Sequence, residues 1–367
     1  MTRHYNSDGK GNFVKQILVT GGFGFIGGHL LERLALEEAQ VHVVDDLSSN
    51  PIPYQKLLNE LGNPRNLTYD LMSVQEYCRT HPLAEFDEIY HLASPVGPAG
   101  VLQWAGRMVR MVVEDVYALM DVAIRSGGKL VDVSTSEVYG GGENGFCRED
   151  MDRIVPARTT VRLEYAVAKL AAETAIINTC KVTELDARIV RPFNVAGPRQ
   201  SGAGGFVVPR FISQALAGQP LTVFGNGRQV RAFTHVGDIA KGIMAAMSRG
   251  KRGEAYNLGN PKNRVTIREL AEIVNRIVGN EAGVTFVDPK EIFGPLYAEA
   301  ADKTPDAERA KKELGWRPLA TVGLTVLDAY LYARPHPFAE MIETAKALAE
   351  EYDLVSKYDC FSEWGLG

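Results

Sequence analysis

Short apolar runs alternating with helical stretches set the rhythm of this 367-residue chain. Ile17, Leu18 and Val19 form a run long enough for one buried parallel strand. Further strand candidates lie at 41–45, 67–70, 88–92, 129–134 and 187–192. Helical patterns at 25–37, 105–126 and 163–180 fall between them. Strand–helix alternation predicts right-handed crossovers and an α/β, doubly wound parallel sheet. Within 105–126, Met108, Val109, Val112, Val116, Leu119, Met120 and Ala123 recur at helical spacing, a stripe suited to core or to a subunit contact.

After about residue 195 the character changes. Residues 197–206 are rich in turn formers, followed by a helix near 207–217, a strand near 221–224 and a turn at Gly225–Gly227. Apolar residues at Val265, Ile267, Leu270, Ile273, Val274 and Ile277 predict a helix over 265–279. The pattern divides the chain into a leader (1–12), a first unit (13–195 plus 231–257), a smaller second unit (196–230 plus 258–330) and a helical extension (331–367). In the extension, 337–354 is amphipathic and reads as a helix docked on the body.

Composition narrows the function classes. Hydrophobic residues make up 45% and charged residues 23%, ordinary for a globular protein, and a net charge of −5 gives no case for nucleic acid or an anionic membrane. No apolar run approaches the ~20 residues of a membrane span, and the polar leader has no signal-peptide core. Cys78, Cys147, Cys180 and Cys360 fit neither a zinc spacing nor a disulfide framework. The chain reads as cytoplasmic, with no feature that requires a metal.

The first strand breaks into glycines at Gly21, Gly24 and Gly27, and a helix follows through Phe25 and Ile26. A strand turning through glycines into a helix aims backbone N–H groups at an anion over the helix N-terminus. Side chains there would block a pyrophosphate and hold the helix off the sheet. The second strand ends in Asp45 and Asp46, 18 positions after Gly27 in the case of Asp45. An acid at that place accepts from a ribose 2′-OH and repels a 2′-phosphate, which points to NAD rather than NADP.

The strand at 129–134 ends in Ser134, Thr135, Ser136 and Glu137, whose side chains would face the cofactor cleft. Tyr165 and Lys169 stand four residues apart on a predicted helix, on one face. An ammonium beside a phenol favours phenolate, so Lys169 is expected to pull the tyrosine down from about 10. Thr135 is placed to hydrogen-bond the same substrate hydroxyl.

Over roughly residues 14–330 the chain resembles the extended short-chain dehydrogenase/reductases that modify nucleotide sugars. Thr20–Gly27 is similar to their cofactor loop, and Thr135, Tyr165 and Lys169 to their catalytic set. Asp70-Leu71 resembles the pair that holds the adenine, and Leu92, Ala93 and Ser94 resemble the loop under the nicotinamide side. The resemblance also assigns cofactor contact to Leu47, Ser48 and Pro192. On the substrate side it assigns Asn194 and Arg231 to the diphosphate, Phe224 to the base, and Val208 and Lys303 to the pocket. A homodimer through 105–126 and 163–180 is implied in the same way.

The resemblance implies hydride transfer from sugar C4 to NAD, with Tyr165 removing the 4-OH proton. Glu137 then separates the reaction types. The Thr-Ser-Glu string resembles UDP-glucuronate decarboxylases and sugar 4,6-dehydratases more than simple 4-epimerases, and Ser136 stands where glucose-type dehydratases carry an acid. His91–Pro95 and Gln229–Phe233 lean towards the decarboxylases. Against that, Phe206 and Lys303 stand where those enzymes carry arginine, and an ammonium is not equivalent to a bidentate guanidinium for a hexuronate carboxylate. Decarboxylase is the first expectation, with 4-epimerase and 4,6-dehydratase as alternatives. A non-catalytic NAD-binding protein would have no use for the phenol–ammonium pair.

Overall fold

The structure, a computed structural model, describes residues 14–141, 145–153, 155, 157, 159–202, 205–294 and 302–334. The leader at 1–12 and the amphipathic segment at 337–354 lie outside the described residues.

Seven parallel strands form the central sheet: β1 (Lys15–Thr20), β2 (Ala39–Val44), β3 (Leu67–Asp70), β4 (Glu88–His91), β5 (Lys129–Val133), and the later strands Asp186–Pro192 and Ala255–Leu258. From edge to edge the order is Ala255–Leu258, Asp186–Pro192, β5, β4, β1, β2, β3. The winding direction reverses between β1 and β4, which opens a crevice outside the carboxyl ends of the strands. The seventh strand, absent from the sequence expectation, pairs Ala255 with Ile189 and closes one edge.

Helices α1 (Phe25–Leu34), α2 (Tyr54–Glu60), α3 (Val74–Thr80), α4 (Gly97–Gln103), α5 (Met108–Ser126), α6 (Val161–Val182), α7 (Val207–Leu216), α8 (Val236–Arg249), α9 (Ile267–Val278), α10 (Pro289–Phe293), α11 (Glu308–Leu314) and α12 (Val322–Ala333) complete the fold. Strand side chains alternate between two covered faces. Ile17 and Val19 meet Leu30 and Leu34 of α1 and Ile239 and Ile243 of α8. Leu18 meets Val112 and Val116 of α5 and Ala168 and Ala172 of α6. Burial on both faces is why these strands read as continuous apolar runs rather than alternating ones.

The helix expected over 105–126 begins at Met108, because Gly106 takes φ +80° and interrupts it. The Glu164 carboxylate accepts from the N–H groups of Gly106 (2.6 Å) and Met108 (3.0 Å), which anchors the start of α5 to α6. A third core joins Phe211 of α7, Leu270 and Val274 of α9, and Val326 and Tyr330 of α12, beside the parallel pair Leu221–Phe224 and Val284–Val287. The two sequence-assigned units interleave more than their limits suggest. Ala310 and Leu314 of α11, and Trp316, pack with the first core against α8, whereas Tyr330 and Leu331 of α12 join the third.

Candidate active site

A cavity of about 850 Å³ opens at the carboxyl ends of the strands. Gly21, Gly24, Phe25, Ile26 and Gly27 line one end of it. Helix α1 starts on Gly24 with no acid in its first turn, so its positive end faces the cavity uncompensated. Gly21 takes φ +70°, and a Cβ there would sit 2.5 Å from the Ala93 nitrogen. A Cβ on Gly27 would sit 2.2 Å from the Gly21 carbonyl oxygen. These close approaches form a bare-backbone cradle that fits a dinucleotide diphosphate.

Asp45, Asp46, Leu47 and Ser48 form the adjoining wall. Asp45 Oδ2 accepts from Phe23 N (2.9 Å) and Oδ1 from Leu47 N (2.8 Å), so the carboxylate is oriented by backbone and retains lone pairs for a ribose hydroxyl. Burial nevertheless pushes the Asp45 carboxyl up, against those two hydrogen bonds. Leu92, Ala93, Ser94 and Pro192 line the cavity as well. Asp70 and Leu71 do not: the Asp70 carboxylate turns aside to His42 Nε2 at 3.1 Å, Leu71 points to solvent, and Met72–Gln75 take their place on the wall.

Thr135, Ser136, Glu137 and Tyr165 meet at the middle of the cavity. Thr135 caps a short 3₁₀ turn, Ser136–Tyr139, by accepting from Glu137 N at 3.2 Å, and it hydrogen-bonds the Tyr165 phenol. Lys169 is fully buried behind Tyr165 and donates Nζ to the Val133 carbonyl at 2.9 Å. The expectation that Lys169 lowers the phenol is not met. Burial of Tyr165 dominates and pushes the phenol above its ordinary range, with the Thr135 hydrogen bond opposing it.

A buried network supports this strand end. Ser134 Oγ donates to Glu173 Oε1 (2.5 Å), and Arg191 grips the same carboxylate through Nε (2.9 Å) and Nη2 (2.6 Å). Arg191 Nη1 also reaches the Tyr139 hydroxyl at 2.8 Å, which donates to Asn257 Oδ1 at 2.7 Å. Each member is satisfied, as a buried polar network must be.

Glu137 is the most constrained acid in the site. Arg162 Nε donates to Oε2 (3.0 Å), Arg162 Nη2 donates to Oε1 (2.8 Å), and Lys303 Nζ donates to Oε1 as well. Despite burial, the two cations hold the carboxyl well below the usual carboxylate range. Lys303, expected to face substrate, is buried behind Glu137 and does not line the cavity. Sequence reading missed Arg162. Its signal was helical spacing, since Arg162, Tyr165, Lys169 and Glu173 recur on one face of α6.

Asn194, Val208, Phe224 and Arg231 line the far end. Asn194 takes φ +37° and donates to the Ala232 carbonyl at 3.4 Å. The Arg231 guanidinium is buried and donates to Val230 O (2.8 Å) and Asp302 Oδ1 (3.4 Å), and its backbone bridges to Lys303. One face of the Phe224 ring is already occupied, because the Arg210 guanidinium carbon lies 3.7 Å from its centroid. A base stacking here would therefore meet an arginine–phenylalanine pair rather than a bare ring. Among the described residues no group of His, Cys, Asp and Glu is placed to hold a metal ion, and no helix is long and apolar enough to cross a membrane.

Residues 17–259 match the NAD dependent epimerase/dehydratase family. The chain is 30% identical over 306 residues to the UDP-N-acetyl-alpha-D-glucosaminuronate decarboxylase of Bacillus cytotoxicus, covering 83% of this chain and 93% of that one. It is 33% identical to UDP-glucuronic acid decarboxylase 1 of Xenopus tropicalis, covering 83% of this chain and 69% of the relative. Among solved structures it is similar to a mutant UDP-glucuronic acid 4-epimerase from Bacillus cereus, in complex with UDP-4-deoxy-4-fluoro-glucuronic acid and NAD. That likeness has a TM-score of 0.76 at 26% identity and covers 86% of this chain and 98% of the other.

Proposed function

Because the chain belongs to the NAD dependent epimerase/dehydratase family, we propose that it oxidises a UDP-linked uronate at C4 and releases the sugar carboxylate as CO₂. The observation that carries this reading is the pairing of Glu137 with Arg162 and Lys303. A carboxylate held ionised by two cations is a poor proton acceptor. It is therefore unsuited to remove the C5 proton, as a 4,6-dehydration would require. Glu137 and Arg162 line the cavity and Lys303 lies buried behind them, so the three side chains bring one net positive charge close to the wall, which suits a substrate carboxylate. The decarboxylase relatives and the uronate-bound structural neighbour support the same substrate class.

Bound NAD supplies the hydride acceptor at C4 and the donor that returns the hydride. Tyr165 in its ionised form, which burial disfavours and the Thr135 hydrogen bond favours, takes the 4-OH proton, and Thr135 fixes both oxygens through its hydroxyl. Lys169, locked onto Val133, supplies a fixed positive charge one turn behind the phenol. With a carbonyl at C4, the carboxylate at C6 is that of a β-keto acid. The C5–C6 bond breaks, its electron pair moves to O4 as an enolate, and C5 takes up one proton. Return of the hydride to C4 then closes the cycle with no net redox change. In this reading Asn194 and Arg231 hold the diphosphate, and the unit built on 196–230 and 258–330 holds the nucleotide. Exposed Tyr117, Val167 and Val182 on α5 and α6 suit a homodimer contact.

The test is incubation with NAD⁺ and UDP-glucuronate, and in parallel UDP-N-acetylglucosaminuronate, read by mass spectrometry. Loss of the mass of CO₂ supports the reading. An unchanged mass with a new C4 stereoisomer by NMR makes the protein a 4-epimerase. Loss of water from a neutral nucleotide hexose makes it a dehydratase.

A further inference from the structure

The acid expected at the adenine is not in the cavity, and another takes its place. The glycine cradle follows β1, the ribose acid Asp45 follows β2, and β3 is the next strand outward in the sheet. A dinucleotide that starts on the cradle and passes Asp45 therefore brings its base over the carboxyl end of β3. There the Asp70 carboxylate is turned aside to His42 and does not line the cavity. The wall is formed instead by Met72–Gln75, which lead into α3, and by Met111 and Asp115, one turn apart on α5. Helices α3 and α5 pack together, and Gln75 hydrogen-bonds the half-buried Asp115 carboxyl across that contact. Asp115 also feels the charge of Asp46, which sits next to the ribose acid. The Gln75–Asp115 pair thus stands on the base side of the cavity.

We propose that Asp115, oriented by Gln75, reads the adenine of NAD by accepting a hydrogen bond from its exocyclic amine. The Gln75 amide occupies part of the carboxyl and fixes its direction, which leaves acceptor capacity for a donor from the cavity. Burial pushes this carboxyl up to about 7, and a carboxyl oxygen accepts in the neutral form as in the ionised one. Adenine offers an N–H donor at that edge. Hypoxanthine offers a carbonyl oxygen there, so two acceptors would face each other and a half-buried carboxyl would lose its partner. A site that hydrogen-bonds one group discriminates through the polar atoms left unpaired by another. The inference rests on NAD binding and not on which sugar reaction follows.

The experiment is calorimetric titration of the full-length protein with NAD⁺ and with nicotinamide hypoxanthine dinucleotide, which differ only at that edge of the base. The native protein is expected to bind NAD⁺ at least about tenfold more tightly. In Asp115→Asn the amide can turn its oxygen to the amine or its N–H to the carbonyl, so the preference should collapse through tighter binding of the hypoxanthine dinucleotide. In Asp115→Leu it should collapse through weaker binding of NAD⁺. A native ratio that persists in Asp115→Asn would overturn the proposal and give the discrimination to another group. Equal affinities on the native protein would overturn it without any variant, and would leave NAD binding itself intact. Binding of neither dinucleotide would overturn it together with the NAD assignment.

Discussion

Arg162 and Glu137, 25 residues apart in the chain, meet in a two-point ion pair with contacts of 2.8 and 3.0 Å. The arginine lies one turn before Tyr165 on α6, so the same helix that presents the phenol also holds the acid in place. Removing one partner of a charged hydrogen-bonded pair costs about 2 kcal/mol. Arg162→Met is therefore expected to lower kcat/KM for the uronate about 30-fold, as that energy converts. NAD affinity, measured by titration, should stay unchanged.

Glu137 also shapes the response to acid. Its folded-state value is depressed by Lys303 and Arg162. Such a group contributes stability that is present above its unfolded value, about 4.3, and is lost as pH falls towards the folded value. Glu137→Gln should flatten the acid side of a stability–pH profile below about pH 4.5, followed by denaturant unfolding. A profile that keeps its native slope would disprove the assignment.

Tyr165→Phe removes the phenol oxygen proposed to take the 4-OH proton and leaves the ring in its buried seat. Loss of a positioned acid–base group costs about 10²–10⁴ in rate. Turnover should fall by that factor while NAD binding persists, which separates chemistry from cofactor retention.

The bare-backbone cradle can be tested with one methyl group. A Cβ at Gly27 would lie 2.2 Å from the Gly21 carbonyl oxygen, a contact that no rotamer relieves. Gly27→Ala should therefore lose measurable NAD binding, read by titration and by cofactor content after purification.

Asp132 and His91 are buried side by side on β5 and β4, 3.8 Å apart, and neither carboxylate oxygen of Asp132 has a hydrogen-bond partner among the described residues. Burial pushes the Asp132 carboxyl up and His91 well down, so both neutral forms are favoured. A raised carboxylate gives a contribution that is present at low pH and lost as pH rises above the unfolded value, about 3.9. Asp132→Val should stabilise the protein by about 1–3 kcal/mol at neutral pH, seen as a higher denaturation midpoint.

Much of this was legible without a structure. Glycine spacing, the acid at the end of β2 and the Tyr165–Lys169 interval are local patterns, and local patterns have one reading once strand and helix periods are set. Asp70 shows where that stops. It sits at the strand end where an adenine contact was expected, yet its carboxylate turns to His42 on the neighbouring strand, a choice that depends on cross-strand register. Lys303 shows the same for charge, since its partner Glu137 is 166 residues away.

The sequence by itself determined the doubly wound sheet and the dinucleotide cradle, and it pointed to Thr135, Glu137 and Tyr165, which the fold brings together on the cavity wall. Each of these follows from side-chain period and backbone freedom over a few dozen residues. Only the tertiary structure decided that Glu137 is held ionised by Arg162 and Lys303, and that Lys169 is bound to the Val133 carbonyl. Those outcomes rest on burial and on which charges come within a few ångströms, quantities that chain separation does not encode.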